Sequence, residues 1–333
     1  MPAELPNQAS EWNHNILRIG ENNFADSALA AFAYQYAGNS IYAAFAKAVG
    51  RHPGNVHAVT DIPFLPISFF KTHTVVTGNF SPEAVFESSG TTGSINSRHL
   101  VKSLNRYRNS FNHAFQQFYG SPADYCILAL LPSYLERNNS SLVVMAADLI
   151  AQSGHPQSGF YLNNRQELAH MLRSLEAVEQ KTLLLGVTFA LLDFAADFPM
   201  KLNHTIIMET GGMKGRREEW TRAQVHDFLT AQLGPSAIHS EYGMTELLSQ
   251  AYSSGNGLFQ CPPWMKVMVR AEDDPLSVTP SGRGILNVID LANLDSCCFI
   301  ATEDAGEVEA GGGFYVIGRT DNSDLRGCSL MAR

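Results

Sequence analysis

The sequence predicts an α/β fold with a mainly parallel, helix-covered sheet and a small β-rich subdomain, and three observations support this. Short apolar runs alternate with helical patterns from about residue 98 to about residue 232, an order that implies a parallel sheet covered on both faces. From about Cys261 the apolar runs shorten and are broken by Gly, Pro and Asp, the pattern of antiparallel β structure. Apolar residues make up 45% of the 333-residue chain and charged ones 17%, which allows a large core and a soluble surface.

The same composition sets limits on function. A formal charge of −9 argues against general affinity for nucleic acid or an anionic membrane. No apolar run reaches spanning length, and the start Met1-Pro2-Ala3-Glu4 has no charged n-region or h-region, so a cytoplasmic protein without a membrane span is expected. The five cysteines, Cys126, Cys261, Cys297, Cys298 and Cys328, are odd in number and form no Cys-x-x-Cys pair, as free thiols in a reducing compartment would be. The eleven histidines are scattered, and no cluster has zinc spacing.

The elements follow in chain order. Residues 1–23 are polar and irregular. From Phe24, Ala28, Leu29, Phe32 and Tyr36 share one helical face, closed by Gly38-Asn39, and a second helix carries Ile41, Phe45 and Val49. Ile62 to Lys71 contains Pro63 and Pro66 and reads as an extended apolar segment packed on the main body. Arg98 to Tyr119 reads as a helix and Cys126 to Leu131 as a buried strand. Ser140 to Gln152 reads as a helix with Asn139 as its N-cap. Strands at Thr182–Val187 and His204–Met208 alternate with helices at Thr188–Ala196 and Arg216–Gln232, and short β runs follow at Lys266–Val269, Ile285–Ile289, Cys297–Ile300 and Phe314–Ile317. The expected division is a helical and extended region at 1–80, an α/β core at 81–260, the β-rich subdomain at 261–318 and a hinge-like tail at 319–333.

One loop draws attention on chemical grounds. Ser88-Ser89-Gly90-Thr91-Thr92-Gly93 packs four hydroxyls and two glycines into six positions, and successive N–H groups in such a turn cradle an anion. It is neither a Walker A loop nor a three-glycine dinucleotide fingerprint, and the plain alternative is a Ser/Gly surface turn. Further loops follow predicted strands: Glu209-Thr210-Gly211-Gly212-Met213-Lys214, Ser240-Glu241-Tyr242-Gly243-Met244-Thr245-Glu246, Thr302-Glu303-Asp304-Ala305-Gly306, and Gly318-Arg319-Thr320-Asp321.

Taken in order, Ser88–Gly93, Tyr242–Glu246, Thr302–Asp304 and Gly318–Asp321 resemble the adenylate-forming enzymes: acyl-CoA ligases, adenylation domains and luciferases. The nearer resemblance is to the acyl-protein synthetase (LuxE-type) branch. It rests on Pro63-Phe64-Leu65-Pro66, Leu131-Pro132-Ser133-Tyr134-Leu135-Glu136-Arg137, Thr210-Gly211-Gly212-Met213-Lys214 and Asp324-Leu325-Arg326-Gly327-Cys328-Ser329. The resemblance implies the N-terminal-domain fold of that superfamily, with ATP and Mg²⁺ as cofactors and a carboxylic acid, a fatty acid in the nearer branch, as substrate. The acid would be activated to an acyl-adenylate and then passed to a thiol. That thiol would belong to Cys328, with onward transfer to a partner protein, or to CoA in a ligase of the phenylacetate-CoA type; a non-catalytic nucleotide-binding protein is a third reading.

By the same resemblance, Ser88, Ser89, Gly90, Thr91, Thr92 and Gly93 hold the β- and γ-phosphates. Tyr242, flanked by Glu241 and Gly243, stacks on adenine beside Gly211 and Gly212. Thr245 bonds the α-phosphate, Glu246 holds Mg²⁺, Asp304 takes the ribose hydroxyls, Arg319 reaches ribose or phosphate, and Tyr134 and Arg137 flank the acyl pocket. Plainer readings stand beside these: Tyr242 as a core tyrosine, Asp304 as a turn former, Glu246 as a helix-terminal carboxylate. The chain departs from the superfamily in two places. Ser94-Ile95-Asn96-Ser97-Arg98 stands where a lysine usually follows the phosphate loop, leaving Arg98 or Lys214 to supply charge. The mobile C-terminal domain is expected to be absent or reduced to a short tail that carries Cys328.

Overall fold

The computed structural model describes residues 16–88, 95–131, 139–162, 164–211 and 220–319. Helices α1 (Glu21–Gly38) and α2 (Ser40–Ala48) come first, close to the sequence expectation. Asn39 ends one and caps the other, its side chain accepting from Tyr42 N–H at 2.9 Å. The proline-bearing segment holds β1 (Leu65–Pro66) and a short helix, α3 (Phe69–Thr72). β1 lies at an edge, parallel to β13 (Phe299–Val308), the place where a sheet tolerates proline.

One reading of the next stretch is corrected. Arg98–Val101 is a strand, β3, antiparallel to β2 (Ala84–Glu87), and the helix α4 starts only at Leu104 and runs to Tyr119. Arg98, His99, Leu100 and Val101 alternate exposed and more buried sides, the period of a strand. The Ser/Thr/Gly loop therefore joins a two-stranded hairpin and does not feed the parallel sheet.

That parallel sheet has the order β5-β4-β6-β7-β8-β9. Its strands are β4 (Cys126–Leu130), β5 (Gly159–Tyr161), β6 (Thr182–Gly186), β7 (Thr205–Glu209) and β8 (His239–Tyr242), all parallel, with β9 (Ala251–Ser253) antiparallel at one edge. Every residue of β4 and β6 is buried, as a sheet covered on both faces requires. The connecting helices are α5 (Ser141–Ser153), α6 (Arg165–Ala177), α7 (Thr188–Asp197) and α8 (Arg222–Leu233). The N-cap of α5 is Ser140, not Asn139. Asn139 is engaged elsewhere, its carbonyl accepting the Glu87 N–H at 2.9 Å. Helix α8 begins later than expected because Thr221 and Gln224 form a capping box. Helix α6 and strand β5 were not anticipated.

The second sheet, in the order β1-β13-β12-β10-β11 with β14 (Phe314–Arg319) on β13, is antiparallel apart from β1. Its other strands are β10 (Met265–Arg270), β11 (Val278–Thr279) and β12 (Gly282–Asp290). The antiparallel character matches expectation, but Thr302–Gly306 lies inside β13 and is not a loop, while Cys297 and Cys298 precede the strand. One hydrophobic core runs through both sheets. Phe299 carries it to the N-terminal helices, packing on Phe32, Tyr42 and Phe64 at 5.9–6.5 Å between ring centroids. Among the described residues no helix is long and apolar enough to cross a membrane.

A buried turn between β12 and β13 ties these parts together. Asn293 Nδ2 donates to Glu246 O (2.7 Å) and Cys297 O (2.9 Å), and its Oδ1 lies 3.0 Å from His99 Nε2. Removing this amide strands buried carbonyls, each worth about 1–3 kcal/mol. Asn293→Ala is expected to destabilise the fold by about 2–5 kcal/mol in urea unfolding. A shift inside ~0.5 kcal/mol would mean the turn does not bear this role.

Candidate functional site

The loops that carry the motifs emerge where β7 and β8 end, the usual ligand edge of a parallel sheet. β8 ends at Tyr242, and its phenol donates to Asp304 Oδ2 at 2.8 Å. Arg319, paired with Asp304 across β13 and β14, donates from Nε to Oδ1 at 3.1 Å. Three residues far apart in sequence thus form one chain of bonds. The Tyr242 ring rests on Phe259 and Phe314, with centroids 5.8 and 5.3 Å away. Burial, then the neighbouring Asp304 charge, pushes the Tyr242 phenol well up, so it stays a donor.

The Thr245–Glu246 turn is fixed from behind. His99 Nδ1 lies 2.8 Å from Thr245 O, and Asn293 holds Glu246 O. The Glu246 side chain is buried, which raises its pKa, while the Ser97 side chain bonds it and Arg319 and Lys71 attract its charge. Ser97 also closes the base of the Ser/Thr/Gly loop. Its N–H donates to Ser88 Oγ at 2.9 Å, and its carbonyl accepts the Ser88 N–H at 3.1 Å. Ser88, Ser97 and Glu246 are therefore neighbours.

Gly211 is held at φ +73°, a conformation that favours glycine. Its N–H donates to Glu209 Oε2 at 2.7 Å and its carbonyl accepts the Thr188 N–H at 3.0 Å. Glu209 also accepts from Thr188 Oγ1 (2.9 Å) and Arg222 Nε (3.2 Å), with His226 Nε2 at 3.8 Å. Although burial opposes it, these partners hold the Glu209 carboxyl down at about 2. Arg222 goes on to Val316 O at 3.1 Å and stacks over Phe259 at 4.8 Å, so one guanidinium joins β7 to β14.

Glu241 is the opposite case. It is buried, no described residue is seen to hydrogen-bond its carboxyl, and burial, then the Glu209 charge, raises it to about 8. A Cβ at Gly243 would overlap Glu241 Oε1, so a larger residue there would have to displace that carboxyl. Glu241 and Gly243 line a cavity of about 140 Å³ with Tyr107, Ser140, Met145, Thr210, Thr245 and Gln250. A larger cavity of about 540 Å³, among residues 156–162, lies at the β5 edge and contains none of the motif residues.

Of the predicted site residues, Ser88, Gly211, Glu241, Tyr242, Gly243, Thr245, Glu246, Asp304 and Arg319 are described. Ser89, Gly90, Thr91, Thr92, Gly93, Tyr134, Arg137, Gly212, Lys214 and Cys328 lie outside the described residues. Arg98, considered for phosphate charge, pairs with Glu87 at 3.7 Å. Sequence reading missed His99, Arg222, Gln250 and Asn293, and gave Glu209 no role of its own. The one available signal was Glu209 ending an apolar strand.

The family profile described as acyl-protein synthetase, LuxE, matches residues 18–333. The chain belongs to that family, and with it to the adenylate-forming, ATP-dependent ligases. The long-chain-fatty-acid–luciferin-component ligase of Vibrio harveyi is 26% identical over 329 residues, covering 90% of this chain and 84% of that protein. Among solved structures, ATP-bound MatB from Rhodopseudomonas palustris matches with a TM-score of 0.54 and 18% identity. The match covers 83% of this chain, which spans only 56% of the length of MatB. An open 2-hydroxyisobutyryl-CoA ligase in complex with 2-HIB-AMP and CoA matches with a TM-score of 0.64 at 11% identity, over 92% of this chain and 72% of that one. These structures share the fold.

The two buried carboxyls respond to pH in opposite ways. Glu241 keeps its proton in the fold up to about pH 8 but loses it near the ordinary carboxylate range when unfolded, so its burden on stability grows as pH rises from about 4.5 to 8. Glu209, depressed to about 2, stabilises above about 4.5, and that contribution fades as pH falls towards 2. Thermal unfolding against pH is expected to show Glu241→Gln more stable than wild type, by a margin that widens from pH 5 to pH 8. Glu209→Gln is expected to be less stable at pH 7, with the gap closing below about pH 4. A pH-independent difference in both variants would contradict this assignment.

Proposed function

We propose that this acyl-protein synthetase family member activates a carboxylic acid with ATP and transfers the acyl group to a thiol. The observation that carries the reading is the convergence of Tyr242, Asp304 and Arg319 with the Ser88–Ser97 loop base and the Thr245–Glu246 turn. Tyr242 and the Gly211 turn offer a flat site for adenine, and Asp304 offers carboxylate oxygens to the ribose. Thr245 offers its hydroxyl to the α-phosphate, and residues 88–93 offer donors to the leaving phosphates. The relatives are in keeping with this: the MatB structure holds ATP, the 2-hydroxyisobutyryl-CoA ligase holds 2-HIB-AMP and CoA, and the Vibrio harveyi protein is a long-chain-fatty-acid ligase.

Glu246 fits a Mg²⁺ role. Mg²⁺ commonly takes one or two carboxylates plus phosphate oxygens, and the Glu246 carboxyl is bonded by Ser97, which also holds Ser88 at the base of the Ser/Thr/Gly loop. When bound, the ion would neutralise phosphate charge. The carboxylate of the acid attacks the α-phosphorus, forming a P–O bond as the bond to the β-phosphate oxygen breaks and pyrophosphate leaves. Donors held at fixed positions accelerate such a step by charge stabilisation and alignment. A thiolate then attacks the acyl carbon, forming the thioester and expelling AMP.

Cys328 is the thiol we assign to that second step. The described cysteines are unsuited to it. Burial raises Cys126 and Cys298, and pushes Cys261 and Cys297 up to about 12, so they remain protonated and weakly nucleophilic. Cys328 has Arg326 two residues before it, and a guanidinium nearby favours the thiolate. An acyl-accepting protein, or CoA, would receive the group afterwards.

Acid-dependent exchange of pyrophosphate into ATP is the direct test, and its absence across fatty, aryl and short acids would defeat the adenylation reading. Asp304→Ala is expected to raise the KM for ATP about 10- to 100-fold. Intact mass after incubation with ATP, Mg²⁺ and acid should show a thioester that Cys328→Ala lacks. Full thioester formation on free CoA by Cys328→Ser would move the second step to CoA.

A further inference from the structure

We propose that Lys71 is a phosphate-binding residue of this site, its ammonium group bonding the pyrophosphate portion of ATP beside the Thr245–Glu246 turn. The inference rests on the adenylation reading and adds to it a residue from outside the four motifs.

Backbone register places Lys71 first. β1 runs parallel to β13, pairing Leu65 with Ile300 and Pro66 with Ala301, and the Ile67 N–H donates to Ala301 O at 3.0 Å. The chain therefore enters α3 heading towards the part of β13 that carries Thr302 and Asp304. Side-chain packing places it a second time. Phe70 is buried, and its ring stands edge-on to that of His99 with centroids 5.8 Å apart. His99 Nδ1 in turn lies 2.8 Å from Thr245 O. Phe70 thus anchors α3 behind the Thr245–Glu246 turn, and Lys71, the next residue, is exposed.

Charge gives this position a use. Burial raises the Glu246 pKa, and Arg319 and Lys71 are the two cations that oppose it, so both charges reach that carboxyl. They are held differently. Arg319 is tied to Asp304 at 3.1 Å, and Arg98 on the hairpin faces Glu87 at 3.7 Å. Lys71 carries its charge on a flexible four-carbon stem with three rotatable donors. Glu246 and Asp304 bring negative charge to the place assigned to metal and ribose, and a triphosphate brings more. When the bond from the α-phosphorus to the bridging oxygen breaks, its electron pair stays on pyrophosphate. The Lys71 ammonium holds that added charge through N–H···O bonds, and no proton changes hands. The N-terminal region then serves the site as well as the core.

Calorimetry in the presence of Mg²⁺ tests the assignment without turnover. ATP and AMP are titrated into wild type, Lys71→Met and Lys71→Arg. Lys71→Met is expected to lose about 10- to 100-fold in affinity for ATP, the loss of one charged hydrogen-bonding group, and less than about threefold for AMP. Lys71→Arg keeps the charge and is expected to bind ATP within about fivefold of wild type. The proposal is overturned if Lys71→Met loses less than about fivefold for ATP, or loses AMP to the same extent. It is also overturned if Lys71→Arg is as impaired as Lys71→Met. Should Lys71→Met fail to fold, Lys71→Gln is read by the same criteria. Wild-type ATP binding and acid-dependent pyrophosphate exchange report on adenylation by themselves. If wild type shows both and Lys71→Met binds ATP normally, the Lys71 assignment alone falls; if wild type shows neither, the adenylation reading falls.

Discussion

The turn from Asp290 to Ser296 is the constraint on which the rest depends. Asp290 is fully buried and accepts four bonds, from Leu248 N, Ser249 N, Ser249 Oγ and Ala292 N, at 2.6–3.0 Å. Ser296 O gathers Gln35, Asn39 and Thr77, and Asp295 pairs with Arg106 at 2.6 Å. Buried backbone that is neither helix nor strand must find partners, and here they come from several distant parts of the chain. The N-terminal helices, the β2–β3 hairpin, α4 and the Thr245–Glu246 turn are each fastened to this segment. The antiparallel sheet is thereby more than an appendage, since the turn joining two of its strands holds the Thr245–Glu246 turn that follows β8 of the parallel sheet.

Much of this was legible in the sequence, and each miss has a physical cause. β4 and β6 could be read because strands buried on both faces are continuous apolar runs. Tyr242, Asp304 and Arg319 could be picked out by motif order, although nothing local says that Asp304 lies within a strand, because β13 mixes Thr, Glu and Asp with apolar residues. β3 was hidden by the helical pattern that follows it, and Arg98–Val101 is a strand only because β2 pairs with it. Asn293 and His99 were out of reach for a different reason. A polar residue reads as surface until distant carbonyls are brought to it, and their partners lie 47 and 194 positions away in the chain.

Glu209 and Glu241 show how placement decides chemistry. They stand at the ends of neighbouring parallel strands, both buried, with opposite proton affinities. Glu209 has Arg222, Thr188 Oγ1 and the Gly211 N–H, and with these the charged form is the stable one. Glu241 has aromatic neighbours and the Glu209 charge, and the neutral form prevails. A buried carboxyl with every bond made is a structural part. One left open on a cavity is a site with unmet demand.

His99 carries the same logic into the coupling between motifs. Its two ring nitrogens face two acceptors, Thr245 O and Asn293 Oδ1, and Asn293 cannot turn round because its Nδ2 already serves Glu246 O and Cys297 O. A neutral imidazole has one N–H, so one of these contacts is without its proton. A protonated ring would satisfy both, and both contacts favour it, but burial is the stronger influence and holds the pKa near 4. The ring therefore links the strand that leaves the Ser/Thr/Gly loop to the turn that bears Thr245 and Glu246 through a bond set short by one proton. The strand that follows the Ser/Thr/Gly loop and the Thr245–Glu246 turn are thereby joined through a single buried side chain.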